Sequence, residues 1–159
     1  MSDQIAIAYT SEAVHPFAPR ELDDLLVDAR GFNERVRVGG ALLHHQGRFF
    51  QYFEGAPDAM ARVYQRIQAS GKHHRLVELF HQPVQRRCFT RWHMGFAEAP
   101  ASVLEEIAND DWAMKLPGLQ REQVRPAGLR MLLDFWNAST HVSAPNHPAF
   151  CGDSDQSPR

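Results

Sequence analysis

The 159-residue sequence predicts an α+β domain in which a sheet carries two helices on one face and further helices follow it. Three observations lead there. Leu22, Leu25, Leu26, Ala29 and, later, Met60, Val63, Tyr64, Ile67 recur at i, i+3, i+4, i+7, the apolar stripe of a helix lying on a sheet. Between the two stripes lies GALLHHQGRFFQYFEG, residues 40–55, which reads as a β-hairpin turning at Gln46-Gly47. Short β-prone runs stand before the first stripe and after the second.

Taken in order, residues 4–10 alternate Ile5, Ile7, Tyr9 against Ala6, Ala8, Thr10, with both faces apolar enough for a central strand. Residues 11–17 read as a loop. Pro19 suits the first position of a helix, and Glu21, Asp23 and Asp24 lie where the helix dipole favours acids. Gly31 is expected to loosen or stop the last turn. The hairpin strands follow, and Pro57-Asp58 open a second helix that Ser70-Gly71 end. Residues 75–81 predict a fourth strand. After a basic connection with Arg86 and Arg87, residues 92–96 predict a short fifth. The order β-α-β-β-α-β-β is that of a ferredoxin-like sheet with an extra strand. From Pro100 the character changes: residues 102–109 and 127–138 read as helices, the latter with Leu129, Leu132, Leu133 and Trp136 on one stripe. Beyond Thr140 the prolines and polar residues predict disorder. The expected division is residues 1–97 as the sheet domain, 98–140 as a helical extension packing on it, and 141–159 as a tail.

In the second arm of the hairpin Phe49, Gln51 and Phe53 point to one face and Phe50, Tyr52 and Glu54 to the other. Gln51 is the anomaly, because an amide flanked by two phenylalanines is buried and needs hydrogen-bond partners. First and third strands are neighbours in such a sheet, so Tyr9 can face Gln51 beneath the helices, and Asn33 near the end of the first helix can reach the same place. A phenol and two carboxamides, without a carboxylate, suit recognition of a planar heterocycle with amide edges better than acid–base hydrolysis. The plainer alternative is a core tyrosine and a helix-capping asparagine.

Composition and motifs argue against other classes. A formal charge of −2 gives no electrostatic case for nucleic acid or an anionic membrane. The opening residues carry no signal-peptide pattern and no stretch approaches a membrane span, so the cytoplasm is the expected compartment. Cys88 and Cys151 lie far apart and form no disulfide framework. Nine histidines include the pairs His44-His45 and His73-His74, but adjacent strand residues diverge and no metal site is expected. Phosphate-loop and nucleophile-elbow patterns are absent.

Residues 5–96 resemble the BLUF family of flavin-binding blue-light sensors. The resemblance rests on phrases in the right order: AYTS with Tyr9, N-x-x-x-x-x-GAL with Asn33 and Gly40, QGRFFQYFEG with Gln51, and RWHMGF with Trp92 and Met94. It implies noncovalent FAD (with FMN or riboflavin as alternatives), its ring system inserted between the two helices. By position, Tyr9 and Gln51 become the light-sensing pair, and Asn33 binds the polar edge of the ring. Leu25 and Ile67 lie against its faces, and Lys72 and His73 lie near the ring and the phosphate-bearing chain. Trp92 and Met94 are the implied output pair on the fifth strand. The implied photocycle moves an electron and a proton out of Tyr9 and back, leaving Gln51 rotated or tautomerised.

The sequence departs from the family pattern at Phe32, Gly39 and His44, where family members commonly have polar residues, threonine and tyrosine. A flavin-free interaction module is therefore the alternative. No enzymatic effector is recognised after the sheet. The resemblance implies a short sensor, not an enzyme, which signals to an unidentified protein partner and forms a homo-oligomer, with the C-terminal helices covering the open sheet face.

Overall fold

The computed structural model describes residues 4–90, 93–112 and 126–143, with side chains described as far as residue 139. The elements run β1 (Gln4–Ala13), α1 (Pro19–Val36), β2 (Gly39–His45), β3 (Arg48–Gly55), α2 (Pro57–Ala69), β4 (His73–Val84), β5 (Gly95–Glu98), α3 (Ala101–Asn109) and α4 (Ala127–Ser143). The sheet order is β4-β1-β3-β2-β5, which puts β1 and β3 at its centre as expected. All pairings are antiparallel except β2 with β5, which run parallel.

Several boundaries move. β1 continues to Ala13 through what the sequence suggested was loop, because Ser11 and Glu12 still pair with Phe49 and Arg48 on β3. β4 is longer than its apolar run at both ends, since pairing along β1 carries it from His73 to Val84. Gly31 does not stop α1. The helix runs to Val36 and ends at Arg37 in the left-handed region (φ 61°), where the Arg37 and Val38 N–H groups cap the Glu34 and Asn33 carbonyls. A mid-helix glycine costs only about 1 kcal/mol, less than tertiary anchoring of the following turn returns. β5 begins at Gly95, so Met94 lies in the bend before the strand and not on it. Trp92 and the tail beyond residue 143 lie outside the described residues, and α4 itself passes Thr140.

The hairpin turn has φ 47° at Gln46 and 84° at Gly47, the two positive values of a type I′ connection that matches strand twist. Gly40 is required for a different reason. A Cβ there would stand 2.1 Å from the Tyr52 carbonyl oxygen, so β2 and β3 approach too closely for any side chain.

Two separate apolar layers flank the sheet. Under α1 and α2 lie Ile7, Tyr9, Leu42, Phe49, Phe53, Met60, Val63 and Met94. On the other face Ala6, Ala8, Ala41, Leu43, Phe50 and Tyr52 meet α3 and α4 through Leu104, Ile107, Leu132 and Trp136. Small residues on β1 and β2 leave room there for large rings: Trp112 packs on Phe50 and Phe80 with centroids 5.6 and 5.8 Å away. The stripe of Leu129, Leu132, Leu133 and Trp136 is buried as its spacing predicts. Among the described residues no helix is long and apolar enough to cross a membrane.

Candidate functional site

The first layer is not closed. Between α1, α2 and the sheet a cleft of about 240 Å³ is lined by Tyr9, Leu25, Leu26, Asn33, Leu42, Phe49, Gln51, Val63, Ile67 and Met94, with Phe32, Arg66, Lys72 and His73 among the others. It explains why Leu25 and Ile67, on the apolar stripes of their helices, are only partly buried.

Tyr9 and Gln51 are direct partners in the β1–β3 register, and both point into this cleft. The Tyr9 hydroxyl donates to Gln51 Oε1, and Gln51 Nε2 donates to Met94 Sδ at 3.2 Å. Burial, reinforced by the neighbouring Tyr64, holds the Tyr9 phenol well above its ordinary range, so the hydroxyl keeps its proton at any ordinary pH. Tyr9 is walled by Phe53 edge-on at 6.2 Å and by Tyr64 at 6.3 Å. The arrangement leaves the amide unevenly satisfied: a strong donor at one end and a thioether, a weak acceptor, at the other.

Asn33, on the last full turn of α1, is 3 % exposed and donates from Nδ2 to the His93 carbonyl at 2.9 Å. Its Oδ1 has no hydrogen-bond donor among the described residues. As Asn33 lines the cleft, this oxygen is an acceptor available to an N–H from a ligand. Arg30 makes a parallel tie, from Nε to the Met94 carbonyl at 2.9 Å. Residues 93 and 94 are thus pinned to α1 by two side chains.

His73 lines the cleft, but both its ring nitrogens are engaged. Nε2 lies 2.7 Å from the Ile67 carbonyl, which can only accept, so Nε2 carries the proton and Nδ1 accepts from Ser11 Oγ at 2.7 Å. The histidine therefore clips the end of α2 to β1. Lys72 stands beside it at the mouth, exposed. His44 is held at the hairpin end: Nε2 accepts from the Gly47 N–H at 3.1 Å, and Nδ1 meets Glu98 Oε2 at 2.7 Å.

Two features escaped the sequence reading. Arg66 lies 4.2 Å above the Phe32 ring, with Arg62 and Arg35 at 5.8 and 5.6 Å, so the ring that replaces a polar residue is a platform for guanidinium groups. The i, i+4 relation of Arg62 to Arg66 was a signal, but nothing in the linear sequence brings α2 arginines to Phe32 on α1. Cys88 is the second. The sequence suggests no disulfide framework, whereas Cys88 is buried and disulfide-bonded, with no free cysteine among the described residues. Cys151 lies outside the described residues. Among the described residues no group of three metal-ligating side chains converges.

A family model described as "BLUF: Sensors of blue-light using FAD" matches residues 5–95. The photoactivated adenylate cyclase subunit beta of Euglena longa is 30% identical over 145 residues, 89% of this chain and 16% of that protein. The subunit alpha of Euglena gracilis is 31% identical over 85 residues, 54% of this chain and 8% of that protein. The chain thus spans less than a fifth of these curated relatives. Among solved structures, the dark state of BlrB, a BLUF protein, superposes with a TM-score of 0.66 over 87% of this chain and 98% of that one at 22% identity, a likeness of fold. Klebsiella pneumoniae BlrP1 with FMN and cyclic diGMP has a TM-score of 0.56 at 27% identity, over 60% of this chain and 26% of that one.

Proposed function

Since the chain belongs to the BLUF family of flavin-based blue-light sensors, we propose that its cleft holds FAD and that light rearranges the Tyr9–Gln51–Met94 hydrogen bonds. One observation carries the proposal. The Tyr9 hydroxyl donates to an otherwise poorly satisfied buried amide inside a cleft walled by apolar side chains. The residues present fit a flavin. Leu25 and Ile67 offer aliphatic faces for a planar ring, and Asn33 Oδ1 offers an acceptor for a ring N–H flanked by carbonyls. Arg66 and Lys72 at the mouth suit a phosphate. FMN has the same ring and phosphate chemistry, and riboflavin lacks the phosphate.

When bound, the flavin supplies the absorber of blue light and an electron acceptor. The chain supplies the rest. Tyr9 would supply an electron and then its hydroxyl proton to the bound flavin and would recover both when the cycle closes; burial keeps that proton on the phenol in the dark. Loss of that proton removes the donor to Gln51 Oε1. The amide is then held only by the Met94 sulfur and turns or tautomerises to an arrangement of similar energy. Phe49, Leu42 and Val63, with Phe53 packed behind Tyr9, exclude water that would otherwise satisfy the amide and erase the difference. Met94, in the bend just before β5, is the first protein group to register the change. Trp92, its implied counterpart, lies outside the described residues. The relay then runs to the helices on the other face, to a second copy of the chain and to a downstream protein, with residues 98–140 as the relay segment. His73 acts by positioning α2 against β1.

The test is an absorption spectrum of the purified chain before and after blue light. A yellow protein whose flavin band moves reversibly to the red is expected. A folded, colourless protein that takes up none of FAD, FMN and riboflavin would instead establish the flavin-free module suggested by Phe32 and Gly39. A loaded protein without any shift would remove the switching role from this pocket.

A further inference from the structure

Glu54 lies on β3, three residues after Gln51, on the opposite sheet face. Its side chain is completely buried. Oε2 accepts from the backbone N–H groups of Cys88 and Phe89, both at 2.5 Å, and Oε1 accepts from the Tyr52 hydroxyl at 3.1 Å. Arg87 donates from Nη2 to the Glu54 carbonyl at 3.4 Å. A carboxylate taken fully out of water is costly unless its lone pairs are filled, and here backbone amides of another segment fill them. That segment is the β4–β5 connection, whose other end, His93 and Met94, is pinned to α1 by Asn33 and Arg30. Phe89 also packs on Tyr52 at 5.7 Å and edge-on to Trp136 of α4 at 6.0 Å.

We propose that Glu54 is a positioning residue of the light response: its carboxylate clamps residues 88–89 to β3 and thereby sets how Met94 presents its sulfur to Gln51 and how α4 feels the change. The inference rests on the reading that Gln51 and Met94 form the responsive pair. Gln51 and Glu54 share one strand, to which the clamp fixes Cys88 and Phe89 at one end of the connection, while Asn33 and Arg30 fix His93 and Met94 at the other. Releasing the clamp uncouples β3 from the connection.

The clamp also has a pH dependence. Burial pushes the Glu54 carboxyl up to about 7, against the opposing effects of the Phe89 N–H, the Arg87 charge, the Tyr52 hydroxyl and the Cys88 N–H. The titratable and charged groups set against it are Tyr52 on its own strand and Arg87 on the connection. Its register partners Ala6 on β1 and Gly39 on β2 carry no charge, and α4 presents Trp136 beyond Phe89. Protonation leaves a weaker acceptor for the two amides, so the clamp is firmest above neutrality.

The experiment uses the full chain labelled with ¹³C-methyl methionine, with the Met94 signal assigned by its loss in Met94→Leu, followed from pH 5 to 9 in the wild type and in Glu54→Gln. Glutamine keeps the shape, with Oε1 for the amides and Nε2 toward the Tyr52 oxygen. The Met94 methyl signal is expected to move in one step near neutrality in the wild type, and to be displaced and without that step in the variant. Tyr52→Phe, which removes one donor to the carboxylate, is expected to move the step to higher pH. In the flavin-loaded chain Glu54→Gln is expected to keep the red shift but to change the dark-recovery rate about threefold or more. A Met94 signal superposable on wild type at every pH in both variants would overturn the proposal, whatever happens to thermal stability. Absence of any red shift in loaded wild type would overturn the light-sensing assignment instead, and the methyl spectra would still decide the role of Glu54.

Discussion

The two faces of the central strand each bury one polar side chain, and they treat it in opposite ways. On the face under α1 and α2, Gln51 has one good partner, Tyr9, and one poor one, Met94, beside an open cleft. On the face under α3 and α4, Glu54 has three donors and no open space. An amide with a weak second partner has two arrangements close in energy, whereas a carboxylate filled by backbone N–H groups has one. On the proposed reading, the same strand carries a group that switches and, three residues on, a group that holds still. A conformational signal needs both, because a moving part is read only against a fixed one.

The comparison breaks most completely at the pair itself. Tyr9→Phe and Gln51→Leu are each expected to abolish the light-induced red shift while leaving a folded, flavin-binding protein, as checked by difference spectroscopy and circular dichroism. A normal shift in either would sink the assigned pair. Next comes packing. Trp136→Ala, in the closed layer, should cost about 3–5 kcal/mol in urea unfolding. Leu25→Ala, on a stripe facing the cleft, should cost less than about 1.5 kcal/mol in the flavin-free chain, because its side chain is only partly covered there. Equal losses would mean that the cleft side is as tightly packed as the other.

A third measurement sharpens the contrast between amide and carboxylate. Glu54 has its pKa raised by burial from 4.5 to about 7, so between those values the folded chain binds more protons than the unfolded one. Its contribution to stability is therefore greatest below pH 4.5 and is lost as pH rises through 7. Glu54→Gln does not titrate. Its stability relative to wild type should improve by about 2 kcal/mol between pH 5 and pH 8, read from urea midpoints at each pH. A constant difference would show that the carboxyl titrates alike folded and unfolded. The smallest effect belongs to Met94→Leu. It keeps volume but removes the sulfur acceptor, so stability should change by less than about 1.5 kcal/mol, with the altered Gln51 partner appearing in the dark-recovery rate.

Much of the fold was legible because it depends on local periodicity. The spacing of Leu22, Leu25, Leu26 and Ala29, the alternation along Phe49–Glu54 and the Gln46-Gly47 turn specify elements and faces, and face assignment then places Tyr9 opposite Gln51 through the expected β1–β3 pairing. The cleft residues Asn33, Leu25 and Ile67 were legible for the same reason, helped by resemblance. Where α1 stops and how far β1 and β4 run was not legible, since pairing and packing outweigh the fraction of a kilocalorie carried by a glycine or a polar residue.

By itself, then, the sequence determined which side chains share a face, and so the juxtaposition of Tyr9 with Gln51 and the two apolar layers. Only tertiary structure decided what meets those faces: Arg66 over Phe32, the Cys88 and Phe89 amides on Glu54, β5 running parallel to β2, and Met94 against Gln51. Periodicity is a property of one segment and can be read along it. Hydrogen bonds between segments 30 or more residues apart, such as Glu54 with Cys88 or Gln51 with Met94, depend on the register and approach of whole elements, which no local pattern encodes.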